Sequence, residues 1–418
     1  MERIKSRNHS IWYSALCIAH CALCIPASAA WRYDPTAGVI SDDAAWTTKV
    51  TRAVATVNGR PVTNLTISAW NKGAGAFDLT TFAEDTGCHV IAVGGKAFGN
   101  TAASSACQTI TSFTGPEVTS LGNYAFGYCQ QLTAASFADG LKSIGTYAFS
   151  HATRLARFEP QYAPSLTSLG ESSFHTCSAL VASFHFPLLT TLATRTFQDC
   201  TKLKDVRLPS VTACNGQMHF YRDSALTNVL FSARCTKFTT DSFASCTALQ
   251  RIYPFVAKNV GNHLNGGDFS GLNKLQGPFV LDSPNVTAIG QSCFNNCRKI
   301  SDFYIDGDNI ATIGTYAFRD LTGGSRIWWI GKKAPTSAIG AQTFTVASGN
   351  YIRIYVKNGQ DTDGWRNYCT YTAENIPTSY KNRGDYPGRH TIGLIAENNS
   401  FAWVVRWSQN ERTVFTIH

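Results

Sequence analysis

The sequence predicts an α/β repeat solenoid with one short parallel strand per repeat and about eleven repeats, flanked by an N-terminal cap and a small β-rich C-terminal unit. Two observations carry this. A phenylalanine recurs at Phe98, Phe126, Phe149, Phe174, Phe197, Phe220, Phe243, Phe269, Phe294, Phe318 and Phe344, at separations of 23 to 28 residues. Between these markers lie short alternating stretches: LKDVRLP (203–209), LTNVLF (226–231), LQRIYPF (249–255) and ISDFYID (300–306). Period-two alternation rich in β-branched and aromatic residues reads as a half-buried strand. A fixed period over so many units is the signature of stacked repeats.

The elements follow in chain order. Arg3, Lys5 and Arg7 precede an apolar run from Ile11 to Ile25, and Ala27-Ser28-Ala29 closes it. A basic start, a short apolar middle and an A-x-A end read as a secretory signal peptide over residues 1–29, cleaved after Ala29. The run is shorter than the roughly 20 apolar residues a bilayer span needs, so it is not read as an anchor. Residues 30–88, with Trp31 and Trp46, are expected to cap the stack or form an aberrant first repeat, because a solenoid needs a closed end. Residues 89–357 form the solenoid. Beyond it, 358–418 is expected to be a cap or attachment module: GWRNYC (364–369), TIGLIAE (391–397) and FAWVVRW (401–407) suggest strands joined through a Pro/Tyr/Asn-rich linker at about 376–388.

One unit explains why the repeats must stack. The aligned segments SLGNYAFGYCQQL (120–132), SIGTYAFSHATRL (143–155), AIGQSCFNNCRKI (288–300) and TIGTYAFRDL (312–321) share a Gly and then a small residue, Ala or Cys, just before the Phe, and two of the four carry Cys three residues after it. The Gly-x-x-Ala-Phe segment reads as one turn of helix or 3₁₀-helix with its Phe inward. A single unit cannot bury that ring alone, so neighbours must share one elongated core. Each buried Phe contributes about 2 kcal/mol of apolar transfer. At about 4.8 Å per strand, eleven strands make a face roughly 50 Å long.

The unit resembles the BspA-like leucine-rich repeat of bacterial surface proteins and some protists, over about residues 90–357. Ala193 in place of the Gly, Met218-His219 before Phe220 and Asp268 before Phe269 depart from the pattern. The resemblance implies an exported or cell-surface recognition protein, often an adhesin contacting host matrix proteins.

Composition and cysteine usage narrow the function. Charged residues are only 15 % of a chain with formal charge +9, and no basic run concentrates that charge, which excludes a nucleic-acid footprint. Cys129, Cys177, Cys200, Cys246 and Cys297 all fall three residues after a repeat Phe. Elsewhere the same position holds Ala152, Leu272, Leu321 or Ala347, so these thiols are expected to act as small buried hydrophobes. Asp223 breaks that column. Any disulfide is expected from Cys88, Cys107, Cys214, Cys235 or Cys369. Cys293 and Cys297 lack a second ligand pair, so no zinc site is expected, and no other metal or cofactor. Asp306-Gly307-Asp308 and Asp361-Thr362-Asp363-Gly364 read as turns rather than calcium loops. With no nucleophile elbow, metalloprotease helix, P-loop or dinucleotide fingerprint, the expectation is a non-enzyme.

Recognition is therefore expected on the strand face. In an alternating strand, the residue between two inward positions points out. Down the repeats this gives Ser136, Glu159, His185, Arg207, Leu230, Tyr253, Val280, Tyr304, Trp329 and Tyr355. The aromatic members Tyr253, Tyr304, Trp329 and Tyr355 are the candidate ligand-binding residues, for a protein or glycan partner. An envelope structural protein without a soluble ligand is the second reading, and an enzyme with an unrecognised site the third.

Overall fold

The structure, a computed structural model, describes residues 30–407 except 43–45, 103–108, 233, 236–241, 254–255, 258–262, 265–268, 282–285, 332, 347–350, 358–361, 384 and 398–399. The expected signal peptide and Cys107 lie outside the described residues.

Parallel strands stack turn upon turn. The anticipated strands form one column: Ile110–Gly115, Ala134–Phe137 and Arg157–Glu159, then Ser183–His185, Asp205–Leu208, Asn228–Phe231 and Arg251–Tyr253. It resumes at Val256–Ala257 and runs through Phe279–Leu281, Asp302–Ile305 and Arg326–Trp329 to Tyr351–Lys357. Among the described residues most turns add a second, two-residue strand, several of them just before the repeat Gly, such as Ser120–Leu121, Ser143–Ile144 and Ser168–Leu169. These pair in parallel register too. Two residues are too few to show alternation, so sequence patterning did not reveal them.

At the glycine turns these second strands approach closely, although Asn215 holds that position where Ala213–Cys214 still pairs with Thr191–Leu192. A Cβ on Gly145 would sit 2.6 Å from Gly122 C, and one on Gly170 2.4 Å from Thr146 N. Ala193 carries that Cβ, and the ladder parts there: Ser168–Leu169 ends one sheet and Thr191–Leu192 starts another.

The segment around each Phe is not the helical turn expected. Bonds from Ala125 N to Gly122 O (3.2 Å), Gly127 N to Tyr124 O (3.0 Å) and Cys129 N to Phe126 O (3.1 Å) are turn-like. Residues two before and two after the Phe are left-handed: Tyr124, Tyr128, Tyr147, His151, Ser172, Thr176, Arg195 and Asp199 have φ between 52° and 61°. Each such residue costs about 1 kcal/mol. In return the backbone N–H points at the next turn: Tyr124 N donates to Thr146 O (2.9 Å), Phe126 N to Ala148 O (2.7 Å) and Tyr128 N to Ser150 O (2.7 Å). A helix would keep those bonds within the turn. Among the described residues the α-helices are Phe82–Thr86, Thr362–Arg366 and Thr378–Lys381, all outside the repeats.

The core is a stack of rings. All eleven repeat phenylalanines are buried, and neighbours lie nearly parallel, as in Phe126–Phe149 (5.2 Å, 6°) and Phe294–Phe318 (5.4 Å, 10°). At the N-terminal end Trp46 meets Phe98 edge-on at 6.3 Å, and Trp31 packs on Phe77 at 5.2 Å. The Trp46 indole donates to Ala76 O (2.6 Å) and that of Trp31 to Asp78 O (2.8 Å). At the other end Ser400–Trp407 pairs in parallel with Tyr351–Lys357 and antiparallel with Thr391–Glu397, so the sheet continues past the last repeat.

Candidate ligand-binding face

The outward column is continuous in register across each sheet. Ser136 pairs with Glu159, His185 with Arg207, Arg207 with Leu230 and Leu230 with Tyr253. In the C-terminal sheet Val280 pairs with Tyr304, Tyr304 with Trp328, and Trp328 with Tyr355. One candidate is corrected. Trp329 aligns with the inward Ile305 and Val356, is only 1 % exposed and meets Trp365 edge-on at 5.1 Å. Its ring lies across Gly307, where a Cβ would come within 2.0 Å, and its Nε1 donates to Lys333 O at 2.6 Å. The outward residue is Trp328. Ile327-Trp328-Trp329-Ile330 is apolar throughout, so alternation could not choose between the two indoles.

The aromatic candidates differ in what surrounds them. Tyr253 is 64 % exposed. Tyr304, Trp328 and Tyr355 are half-buried because they stack on one another, at 6.1 Å (7°) and 4.2 Å (13°). Beside them Asp302, aligned with Arg326 and Arg353, accepts from Trp328 Nε1 (2.9 Å), Arg326 Nη2 (2.8 Å) and Ser301 Oγ (2.8 Å). Burial alone would raise the Asp302 pKa, but these hydrogen bonds and the Arg326 charge outweigh it and hold the carboxyl below its usual range. Burial, then the Asp302 charge, pushes the Tyr304 phenol up to about 12.

Past Tyr355 the same face is covered. Ile376, Leu394, Phe401, Trp403 and Val405 form a second small core, with Tyr351, Tyr355, Tyr380 and Tyr386 packed against it. Arg353 Nη2 donates to Asp385 O at 3.2 Å and ties that cover to the strand. In the other half of the face Arg207 is exposed, while Glu159, His185 and Leu230 are half-buried. Tyr162, not among the sequence candidates, is 53 % exposed and lies 5.1 Å from the His185 ring. It sits in the extra residues of a longer repeat, outside the alternating strand.

Other polar groups fall at the turns and in the core. Tyr128 stacks on His151 at 4.4 Å, His151 meets His175 edge-on at 5.0 Å, and His175 Nε2 lies 3.9 Å from Asp199 Oδ2. Burial lowers both imidazole pKa values. Among the described residues no group of three or more His, Cys, Asp or Glu side chains could hold a metal ion. Each column thiol donates to a Phe carbonyl of the preceding repeat, Cys200 to Phe174 (3.0 Å) and Cys246 to Phe220 (2.8 Å) among them. That acceptor gives Cys an advantage over Ala in this slot. Asp223 takes the slot in its repeat, fully buried, with Oδ1 accepting from Cys200 N at 2.8 Å. Burial raises its pKa well above the usual carboxylate value.

The family model of the BspA type leucine rich repeat region (6 copies) matches residues 96–188, 181–264 and 257–355, well over half the chain. The chain belongs to the BspA-type leucine-rich-repeat family. Among solved structures it is similar to a leucine rich repeat protein of T. pallidum (23 % identity, 54 % of this chain and 87 % of that one, TM-score 0.36). It is also similar to a leucine rich cell surface protein of Faecalibacterium prausnitzii (16 %, 76 % and 95 %, 0.35). A third is the pneumococcal vaccine antigen PcpA (15 %, 79 % and 96 %, 0.33). No curated protein matches. BspA-type membership points to a ligand-binding or adhesin-type role, and proteins of this kind are typically non-enzymatic. No helix among the described residues is long and apolar enough to cross a membrane.

Proposed function

We propose that this BspA-type protein is exported, through a signal peptide at 1–29, and binds a polypeptide partner on its strand face. Residues 30–88 and 358–418 cap a solenoid spanning 89–357, and the contact is centred on Arg207, Leu230 and Tyr253. The observation carrying this reading is Tyr253, 64 % exposed on a strand in register with Leu230. A large rigid ring beside an aliphatic side chain and a cation is the composition of an interface hot spot. Tyr304, Trp328 and Tyr355 extend the site toward the C-terminus as a rim. Their faces are spent on one another, so they offer edges and hydroxyls, which suit a polypeptide better than a sugar ring.

A glycan partner is the second reading, favoured by the free face of Tyr253. The test is a screen against protein and glycan arrays, followed by Tyr253→Ser, Arg207→Ser and Trp328→Ser measured singly with the ligand found. Loss of affinity in Tyr253→Ser and Arg207→Ser, with melting unchanged, is expected. Unchanged affinity in both would remove the site. Surface labelling of intact cells separates this reading from that of an envelope structural protein, which would label without binding any array member.

A further inference from the structure

Cys214 and Cys235 lie off the thiol column, in two slots that other repeats fill with aliphatic residues. Cys214 ends the strand Ala213–Cys214 and aligns with Leu192, where other second strands end in Leu121, Ile144 or Ile313. Cys235 N bonds back to Ser232 O at 2.9 Å, as Val118, Leu141, Val211 and Ile310 bond back to the residue three before them. Both side chains are buried, 1 % exposed, in consecutive turns of the solenoid. Column thiols give their hydrogens to Phe carbonyls, whereas these two thiols hydrogen-bond to each other. Their position is also particular. Cys214 ends the strand that pairs with Thr191–Leu192, and Cys235 stands one turn further along the solenoid.

We propose that Cys214 and Cys235 are joined in the mature protein as a disulfide that staples consecutive turns of the solenoid. The oxidant is a low-molecular-weight disulfide. The thiolate of one cysteine attacks RS–SR and releases RS⁻, and the second thiolate displaces the other RS⁻ from the mixed disulfide. One S–S bond forms in the protein as one breaks in the oxidant; the two cysteine protons end on the two released thiols, and two electrons pass to the oxidant. In the closed core the hydrogen bond with Cys235, and then burial, hold the Cys214 pKa well above its usual value, so exchange runs while the chain is folding, before the core excludes the oxidant.

The test refolds the full purified chain in a glutathione redox couple, alkylates it in denaturant without reductant, and maps it with trypsin. Cleavage after Arg207, Arg222, Arg234 and Lys237 puts the two cysteines on separate peptides, 208–222 and 235–237. Recovery of these as one reducible cross-linked pair is expected, together with a free-thiol count lower by two. Reduction should lower the melting midpoint by roughly 5–10 °C in the parent but not in Cys235→Val, which installs the aliphatic residue of other repeats. Full alkylation of both cysteines in the refolded protein, or either found linked to a different cysteine, overturns the proposal. Because refolding is done in vitro, the outcome does not depend on export.

Discussion

Arg207 and Tyr253 in one half of the solenoid hold the same outward register as Trp328 and Tyr355 in the other, yet the two pairs end in different environments. In the first half each outward residue is followed by one of different type, Arg207 by Leu230 and Leu230 by Tyr253, so no ring finds a parallel partner. In the second half Tyr304, Trp328 and Tyr355 follow one another at the spacing of stacked strands and close into a column, and the chain then folds back to cover its end. Exposure on a solenoid face is thus decided by the next turn as much as by the residue itself.

The Phe column crosses both halves, and its removal is the largest expected effect. Phe197→Ala and Phe318→Ala should each cost about 3–5 kcal/mol, measured by chemical denaturation. They should shift a single transition. Two separate transitions would show that the halves fold independently and break the comparison.

The first half contains, between Arg207 and Leu230, a repeat with two buried titratable groups. His219 hydrogen-bonds to Ser242 Oγ and Asn215 O, both at 3.0 Å, and burial lowers its pKa from 6.5 to about 4. The unfolded chain therefore binds a proton that the folded one refuses. This stabilising contribution is complete above pH about 6.5 and is lost as pH falls toward 4, by on the order of 3 kcal/mol. His219→Ala, the residue type of Ala125 and Ala148, should flatten that part of the stability profile; an unchanged profile would place the loss elsewhere.

Asp223 titrates in the opposite sense. Its folded pKa is raised, so its contribution is full below the unfolded value of 3.8 and is lost as pH rises. Asp223→Cys restores the thiol of the column and should stabilise at pH 7 by about 1–3 kcal/mol, with the gain shrinking toward pH 4. No gain at pH 7 would mean that the carboxyl finds an acceptor when protonated.

The smallest effects sharpen the contrast directly. Trp328→Ser breaks the stack and the bond to Asp302 and should cost about 1–2 kcal/mol, whereas Tyr253→Ser should melt within about 0.5 kcal/mol of the parent. Equal costs in calorimetry would erase the distinction between the two ends of the face.

Much of this was written locally. The spacing of Phe98 to Phe344 determined the core column, and Cys three residues after Phe determined the buried thiols, because both depend on geometry within one turn. The same local rule oriented Ser136 through Tyr253 correctly on the strand. Tertiary structure decided what alternation cannot encode. Trp328 rather than Trp329 faces out because Gly307, one turn earlier, leaves room for the inward indole. Tyr355 is half-covered because residues 376–405 return over it, and the Asp223 pKa is raised because its carboxyl is fully buried in the stack. Each of these depends on groups a full repeat or more away in the chain, where sequence periodicity carries no record of which side chains will meet.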